Sequence, residues 1–268
     1  MDRAALDKLL DVATEAARTA GNYALANKAR RTEVAAQFKH DVKLKLDLES
    51  QDKAEAVIRA RFPGHSFLGE ENLAIRAADL GGEPAPEWVI DPIDGTVNFS
   101  HGMPLWCCSV AVRQGERVLA GAVYAPELNE LYTATVDRPA LCNGKPLHVS
   151  GVRSLDQAMI CTGLEKNADP IAPPFRILHQ LYDGVQKCRV LGSAALDLCR
   201  VAAGQVDGYF ESGIYLWDIA AAGLIVERAG GRAEALRTLP GYRYCYAATN
   251  GLIQEAFTNL LAPVLPPE

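Results

Sequence analysis

No stretch of this sequence approaches the ~20 uninterrupted apolar residues of a bilayer-spanning helix, and the opening "MDRAALDKLL" is acidic and amphipathic where a secretory signal is basic and then apolar. The expectation is a cytoplasmic protein with no membrane partner. An excess of positive charge is also missing. The 27 Lys and Arg stand against 33 Asp and Glu, a net charge of -6, which argues against broad attraction to nucleic acid polymers or anionic surfaces. Any anionic ligand must therefore be drawn in locally. The seven cysteines are an odd set with no C-x-x-C pair, so neither zinc nor a disulfide framework is expected, and the thiols read as small buried hydrophobes. Absent too are G-x-x-x-x-G-K-[ST], G-x-S-x-G, G-x-G-x-x-G and H-E-x-x-H, which removes P-loop, serine-elbow, dinucleotide-binding and zincin chemistry.

What is present is apolar residue in quantity, 49% of the chain, enough for a large core. Leu6, Leu9, Leu10, Ala13, Ala17, Ala20 and Tyr23 recur at three- and four-residue steps and predict one helix over residues 2–30. "DVKLKLDL" alternates, so residues 41–47 are expected to be extended, with a helix from 47 to 61 that Pro63 and Gly64 stop. The run "WVI" reads as a buried strand ending at Asp91, and residues 105–149 as an antiparallel meander of short β-rich runs. After Gly151 the pattern alternates: strand near "AMICTG", helix 174–185, strand "CRVL", helix "SAALDLCRVAAG", strand "VDGYFE" and helix "WDIAAAGLIVERAG". Strands around "RAEAL" and "YCYAAT" and a helix over 251–261 complete it. The fold expected is α+β in layers, one domain over 1–268, with an antiparallel half to about residue 150 and a mixed α/β half over 151–268.

"DPIDGT" at 91–96 sits where the apolar strand ends. Asp-Pro and Asp-Gly are turn-forming pairs, so a plain turn is one reading. The mouth of a sheet, however, is where layered α/β folds place ligands. Gly95 and Thr96, opening a short helix through "TVNFS", would aim free N–H groups at whatever Asp91 and Asp94 hold. Two further acidic clusters join them: "GEEN", with Glu70 and Glu71, and "WDIAAAG", with Asp218 at a helix start. Singly these read as solvated or capping acids. Together, two carboxylates ~4 Å apart repel by roughly 4 kcal/mol at an effective dielectric of 20, so four of them need protons or a bound cation. Two Mg²⁺ ions would neutralise them, activate a water and stabilise the leaving oxygen of a phosphate ester.

"GEE" at 69–71, "DPIDGTVNF" at 91–99 and "WDIAAAGLIVERAGG" at 217–231 resemble, in order along nearly the whole chain, the three signature segments of the inositol monophosphatase family. The resemblance implies an αβαβα sandwich of the sugar-phosphatase type and Mg²⁺-dependent hydrolysis of a small phosphate monoester. It also implies lithium sensitivity and a homodimer. Carried over by position, Glu70, Asp91 and the Ile93 carbonyl would hold one metal, and Asp91, Asp94 and Asp218 a second, with a weaker third near Glu70. Gly95 and Thr96 would grip the phosphate, and Thr96 with Asp47 would orient the attacking water, with Glu70 also close to that water. Gly192, Ala194, Glu211 and Asp218 would bind the substrate alcohol; for Gly192 and Ala194 close helix packing is the competing reading. Inositol 1-phosphate or a related polyol or sugar phosphate is the first expectation. Histidinol phosphate, fructose 1,6-bisphosphate and 3'(2'),5'-bisphosphate nucleotides are the alternatives, with selection in loops 72–87 and 162–176. A non-catalytic regulatory binding protein on the same fold is the reading from a different class.

One departure stands out. The family's V-T-x-x-D ahead of the water-orienting aspartate is "KLKLD" here, with Leu44 for the threonine and Lys43 and Lys45 added. The side-chain support of Asp47 is thereby lost. The two lysines read as solvated residues of an extended segment, with a second anionic group on the substrate as the alternative.

Overall fold

The computed structural model describes residues 2–37, 42–71, 85–164 and 174–266. Helix α1 (Arg3–Ala26) begins where the Asp2 carboxylate accepts the Ala5 N–H at 2.8 Å, and it buries the stripe Leu6, Leu9, Val12, Ala13, Ala16, Ala17 and Ala20. It ends at Ala26, not at residue 30: beyond Ala24 no residue up to Arg31 is buried, and residues 28–30 form one 3₁₀ turn.

Strands β1 (Val34–Gln37) and β2 (Val42–Leu44) pair antiparallel. Helix α2 (Lys45–Arg61) follows at once, so the extended segment is shorter than expected and Asp47 lies in the first helical turn. The cause is local: the Asp47 Oδ2 accepts the Leu44 N–H at 2.7 Å, half of a capping box, and so sets the start of the helix. β3 (Ser66–Gly69) then runs parallel to β4 (Glu87–Asp94). β4 continues three residues past Asp91, with its register against β5 irregular between Asp91 and Asp94. Pro92 therefore occupies a bulge, where a strand tolerates a missing donor. The short helix α3 (Thr96–His101) comes next. β5 (Cys107–Gln114), β6 (Arg117–Ala125), β7 (Glu130–Thr135), β8 (Leu141–Cys142) and β9 (Lys145–Pro146) complete a seven-stranded sheet in sequence order, all antiparallel after β4. This is the expected meander.

The second half supplies β10 (Met159–Thr162), α4 (Pro174–Gly184), β11 (Lys187–Arg189), α5 (Ala194–Ala202), β12 (Gly208–Tyr215) and α6 (Leu216–Arg228). It ends with β13 (Arg232–Leu239), β14 (Arg243–Thr249) and α7 (Gln254–Leu261). Its sheet has the order β11-β10-β12-β14-β13, parallel around β10 and antiparallel beyond. α7 starts at Gln254, not at residue 251, because Gly251 takes a φ of 81° and the Asn250 side chain accepts the Leu252 and Ile253 N–H groups ahead of the helix.

Three apolar clusters make five layers of these elements. Trp88, Ile90, Cys108 and Val110 face α1 and α2 on one side of the seven-stranded sheet. Val89, Cys107, Ala111 and Val123 face the other side, where α5 and α6 lie between the two sheets. Phe210, Cys245 and Ala247 face α4 and α7 beyond the second sheet. The order is αβαβα, as expected. Alternate residues of β4 and β5 go to opposite apolar layers, which is why these strands read as continuous apolar runs. Gly121 lets α6 approach: a Cβ there would stand 2.8 Å from the Ala221 Cα. Among the described residues no helix is long and apolar enough to cross a membrane. All seven cysteines are free; five are buried as expected, while Cys142 and Cys188 are only partly so.

Candidate active site

The end of β4 and the first turns of α5 and α6 meet at the boundary between the halves. The bulge turns Asp91 and Asp94 toward the inner layer, and α6 brings Asp218 in from its own first turn. One carboxylate oxygen from each of these three residues lies within 4.8 Å of the other two. Asp91 Oδ1 accepts the Ile93 N–H at 3.0 Å, and the Thr96 hydroxyl donates to the Ile93 carbonyl at 2.9 Å. Gly95, with a φ of 91°, sits at the head of α3; a Cβ there would stand 3.0 Å from the Leu105 carbonyl oxygen, so the turn has room and angle for glycine alone. Asp218 Oδ2 accepts the Tyr215 N–H at 3.0 Å. The aspartate is thus a first-turn helix acid and a member of the cluster at once.

Glu70 follows β3, its N–H donating to the Ile90 carbonyl at 3.2 Å. Loss of hydration, then the neighbouring charges of Asp218, Asp47 and Glu71, hold its carboxyl well above the usual range, while Lys43 opposes them. Asp91 is raised well above its range by burial first and then by Glu70, Asp218 and Asp94. Asp94 is also raised by burial, against four donors that favour its charged form. The charges of Glu70 and Asp47 thus act on this cluster, but among the described residues the carboxylate oxygens that come within 4.8 Å of one another are those of Asp91, Asp94 and Asp218.

The donors to Asp94 were not legible in the sequence. "GSAA" was expected to line an alcohol pocket through Gly192 and Ala194. Here Ser193 Oγ donates to Asp94 at 2.7 Å, the Ala195 N–H at 2.8 Å, the Ala194 N–H at 3.1 Å and the Cys107 thiol at 3.5 Å. Gly192, with a φ of 82°, lies against the Asn98 amide, which itself ties the Leu105 and Leu191 carbonyls together at 2.8 Å each. This segment therefore braces Asp94. Ser193 carried no role in the sequence reading, because its bond spans 99 positions of sequence.

Glu211 is buried on β12 and accepts the Tyr209 hydroxyl. It packs where Gly163 has no room for a Cβ. Burial first, then the charge of Glu211 and its hydrogen bond, and then the charges of Asp197 and Asp218 hold the Tyr209 hydroxyl well above its usual range. Around Asp47, the hydrogen bond missing from the Leu44 side chain comes from the Leu44 backbone, and the Leu44 side chain packs with Ile93, Phe99 and Trp106. The solvated reading of Lys43 and Glu71 does not hold: Lys43 Nζ is 3.0 Å from Glu71 Oε2 and the Glu71 side chain is 1% exposed. Lys45 is exposed, as expected. Most of loops 72–87 and 162–176 lies outside the described residues.

The donor set is all oxygen, from carboxylates and one peptide carbonyl, with no imidazole or thiolate among the acids. It suits a hard cation such as Mg²⁺ and fits no softer metal as well.

The chain matches the sequence profile described as the inositol monophosphatase family over residues 5–264. It is 39% identical over 229 residues to the "Nus factor SuhB" of Pasteurella multocida, covering 84% of each chain. With the inositol monophosphatase of Dictyostelium discoideum it shares 35% over 238 residues and 86% of each. The solved inositol monophosphatase of Anabaena superposes with a TM-score of 0.83 at 32% identity, over 98% of both chains.

Proposed function

This chain belongs to the inositol monophosphatase family and is a phosphoric monoester hydrolase; from that premise we propose that it hydrolyses a small polyol or sugar phosphate, inositol 1-phosphate first among them, with Mg²⁺. The observation that carries this reading is the convergence of Asp91, Asp94 and Asp218 from two halves of the chain onto one volume. Glu70, Asp91 and the Ile93 carbonyl would hold one ion, and Asp91, Asp94 and Asp218 another. Bound there, the ions would polarise the phosphoryl oxygens and lower the pKa of water.

The chain's own residues do the rest. The N–H groups of Gly95 and Thr96 grip phosphoryl oxygens at the head of α3. The Thr96 hydroxyl spends its proton on the Ile93 carbonyl, so toward a water it is an acceptor, as is the Asp47 carboxylate. A water that donates to both has its lone pair left for phosphorus. Asp218 and Glu211 take the alcohol half, with Glu211 accepting from its hydroxyls and Tyr209 fixing the carboxylate, while Gly192 and Ala194, expected to join them, belong to the segment that braces Asp94. Lithium sensitivity, a homodimer and a cytoplasmic location complete the proposal.

A second reading rests on the relatives named as Nus factors: a binding role in which hydrolysis is secondary. The deciding experiment is kcat/KM with Mg²⁺ for inositol 1-phosphate, histidinol phosphate, fructose 1,6-bisphosphate and adenosine 3',5'-bisphosphate, each with an EDTA control. Turnover of at least one ester that EDTA abolishes supports the phosphatase. No turnover of any ester at millimolar Mg²⁺ leaves the binding role and overturns it.

A further inference from the structure

Lys43 is one of two lysines that this chain adds ahead of Asp47, and its side chain runs from β2 to the end of β3. Its ammonium is 3.0 Å from Glu71 Oε2 and 3.4 Å from the Glu70 carbonyl oxygen. The Glu71 N–H is held in turn by Gln51 Oε1 at 3.2 Å. Glu71 is the more enclosed partner, 1% exposed against 30% for Lys43, and a carboxylate so enclosed needs a cation beside it. β2 passes directly into the turn of α2 that carries Asp47, so the lysine joins the two acids expected to flank the attacking water.

We infer that Lys43 is a built-in cation of the acidic centre: its ammonium fixes the Glu70–Glu71 segment and supplies there a positive charge that a third divalent ion would otherwise bring, so the centre saturates with two ions. This rests on the phosphatase reading and sharpens it, because it selects between two ions and three. A divalent ion approaching Glu70 from the β2 side meets an ammonium already hydrogen-bonded to that segment, and like charges at such range repel.

The test counts ions directly. Metal-free protein is titrated with Mn²⁺, free ion being read by electron paramagnetic resonance and heat by calorimetry, for the wild type, Lys43→Met, Lys43→Arg and Glu71→Gln. The wild type and Lys43→Arg are expected to bind two ions. Lys43→Met should bind a third, at least tenfold more tightly than any further ion binds the wild type. Glu71→Gln, which leaves the ammonium without its counter-charge, should bind two ions several-fold more weakly. The opposite signs separate this from structural damage, which would weaken binding in both variants. Two ions of unchanged or lower affinity in Lys43→Met would overturn the inference, as would three in the wild type. A wild type that binds no Mn²⁺ would instead overturn the phosphatase reading.

Discussion

Asp94 shows what a proposed metal ligand needs beyond its own charge. Three donors within 3.1 Å, Ser193 Oγ and the Ala194 and Ala195 N–H groups, fix both carboxylate oxygens. Partners of this kind orient a ligand, and losing one typically costs 10–100-fold in metal affinity or activity. Ser193→Ala is therefore expected to lose about tenfold in Mg²⁺ affinity, measured by calorimetry, with an unchanged circular dichroism spectrum; an unaltered affinity would remove the bracing role. Asp94→Asn and Asp218→Asn should each lower kcat/KM by orders of magnitude on whichever ester is turned over, since each removes a charge facing the ions. At this scale the acids were legible in the sequence and their partners were not. Glu70 and Asp94 stand at strand ends, Asp91 at the start of the bulge that follows an apolar run, and Asp218 at a helix start, all close to where the apolar pattern breaks. Ser193 and Lys43 act across 99 and 28 residues respectively, and a one-dimensional pattern carries no such distance. Lys43 in particular looked solvated because its partner Glu71 also did.

Among the elements, α6 carries the most. It packs on both sheets and delivers Asp218 at its N-terminal turn. Its approach to β6 depends on Gly121, where a Cβ would stand 2.8 Å from one backbone atom and 2.9 Å from the Ala221 Cβ. Gly121→Ala should therefore destabilise the fold by about 1–3 kcal/mol through overpacking, a fall of roughly 2–4 °C in melting temperature per kcal/mol. A thermal melt unchanged by this substitution would mean that α6 can retreat freely. The long amphipathic α1 and the meander were plain in periodicity, because each presents one repeating apolar face. Element ends were less so. α2 starts earlier than its apolar pattern because Asp47 accepts the Leu44 N–H, and β4 runs on through Pro92 because a bulge accommodates a residue that ordinarily breaks a strand.

For the molecule as a whole, the acidic centre lies between halves that were expected to form one domain, so unfolding should follow a single transition that cation binding shifts upward. The pH dependence follows from the direction of the shifts. Glu70, Asp91 and Asp94 titrate above the usual carboxylate range, burial being the first cause for each, and Asp197 is pushed up to about 8 by burial as well. The fold thus favours their protonated forms. The stability this brings is complete below the unfolded value of ~4 and is lost as pH rises through the folded values. Metal-free protein should melt at progressively lower temperature from pH 5 to pH 8.5, and millimolar Mg²⁺ should raise the melting temperature most at the upper end. A flat profile in EDTA would contradict it. The most direct measurement is anomalous diffraction from crystals soaked in Mn²⁺. Two peaks ~3.5–4 Å apart, one touching Glu70, Asp91 and the Ile93 carbonyl and the other Asp91, Asp94 and Asp218, are predicted; an acidic centre with no anomalous peak at saturating Mn²⁺ would contradict the account.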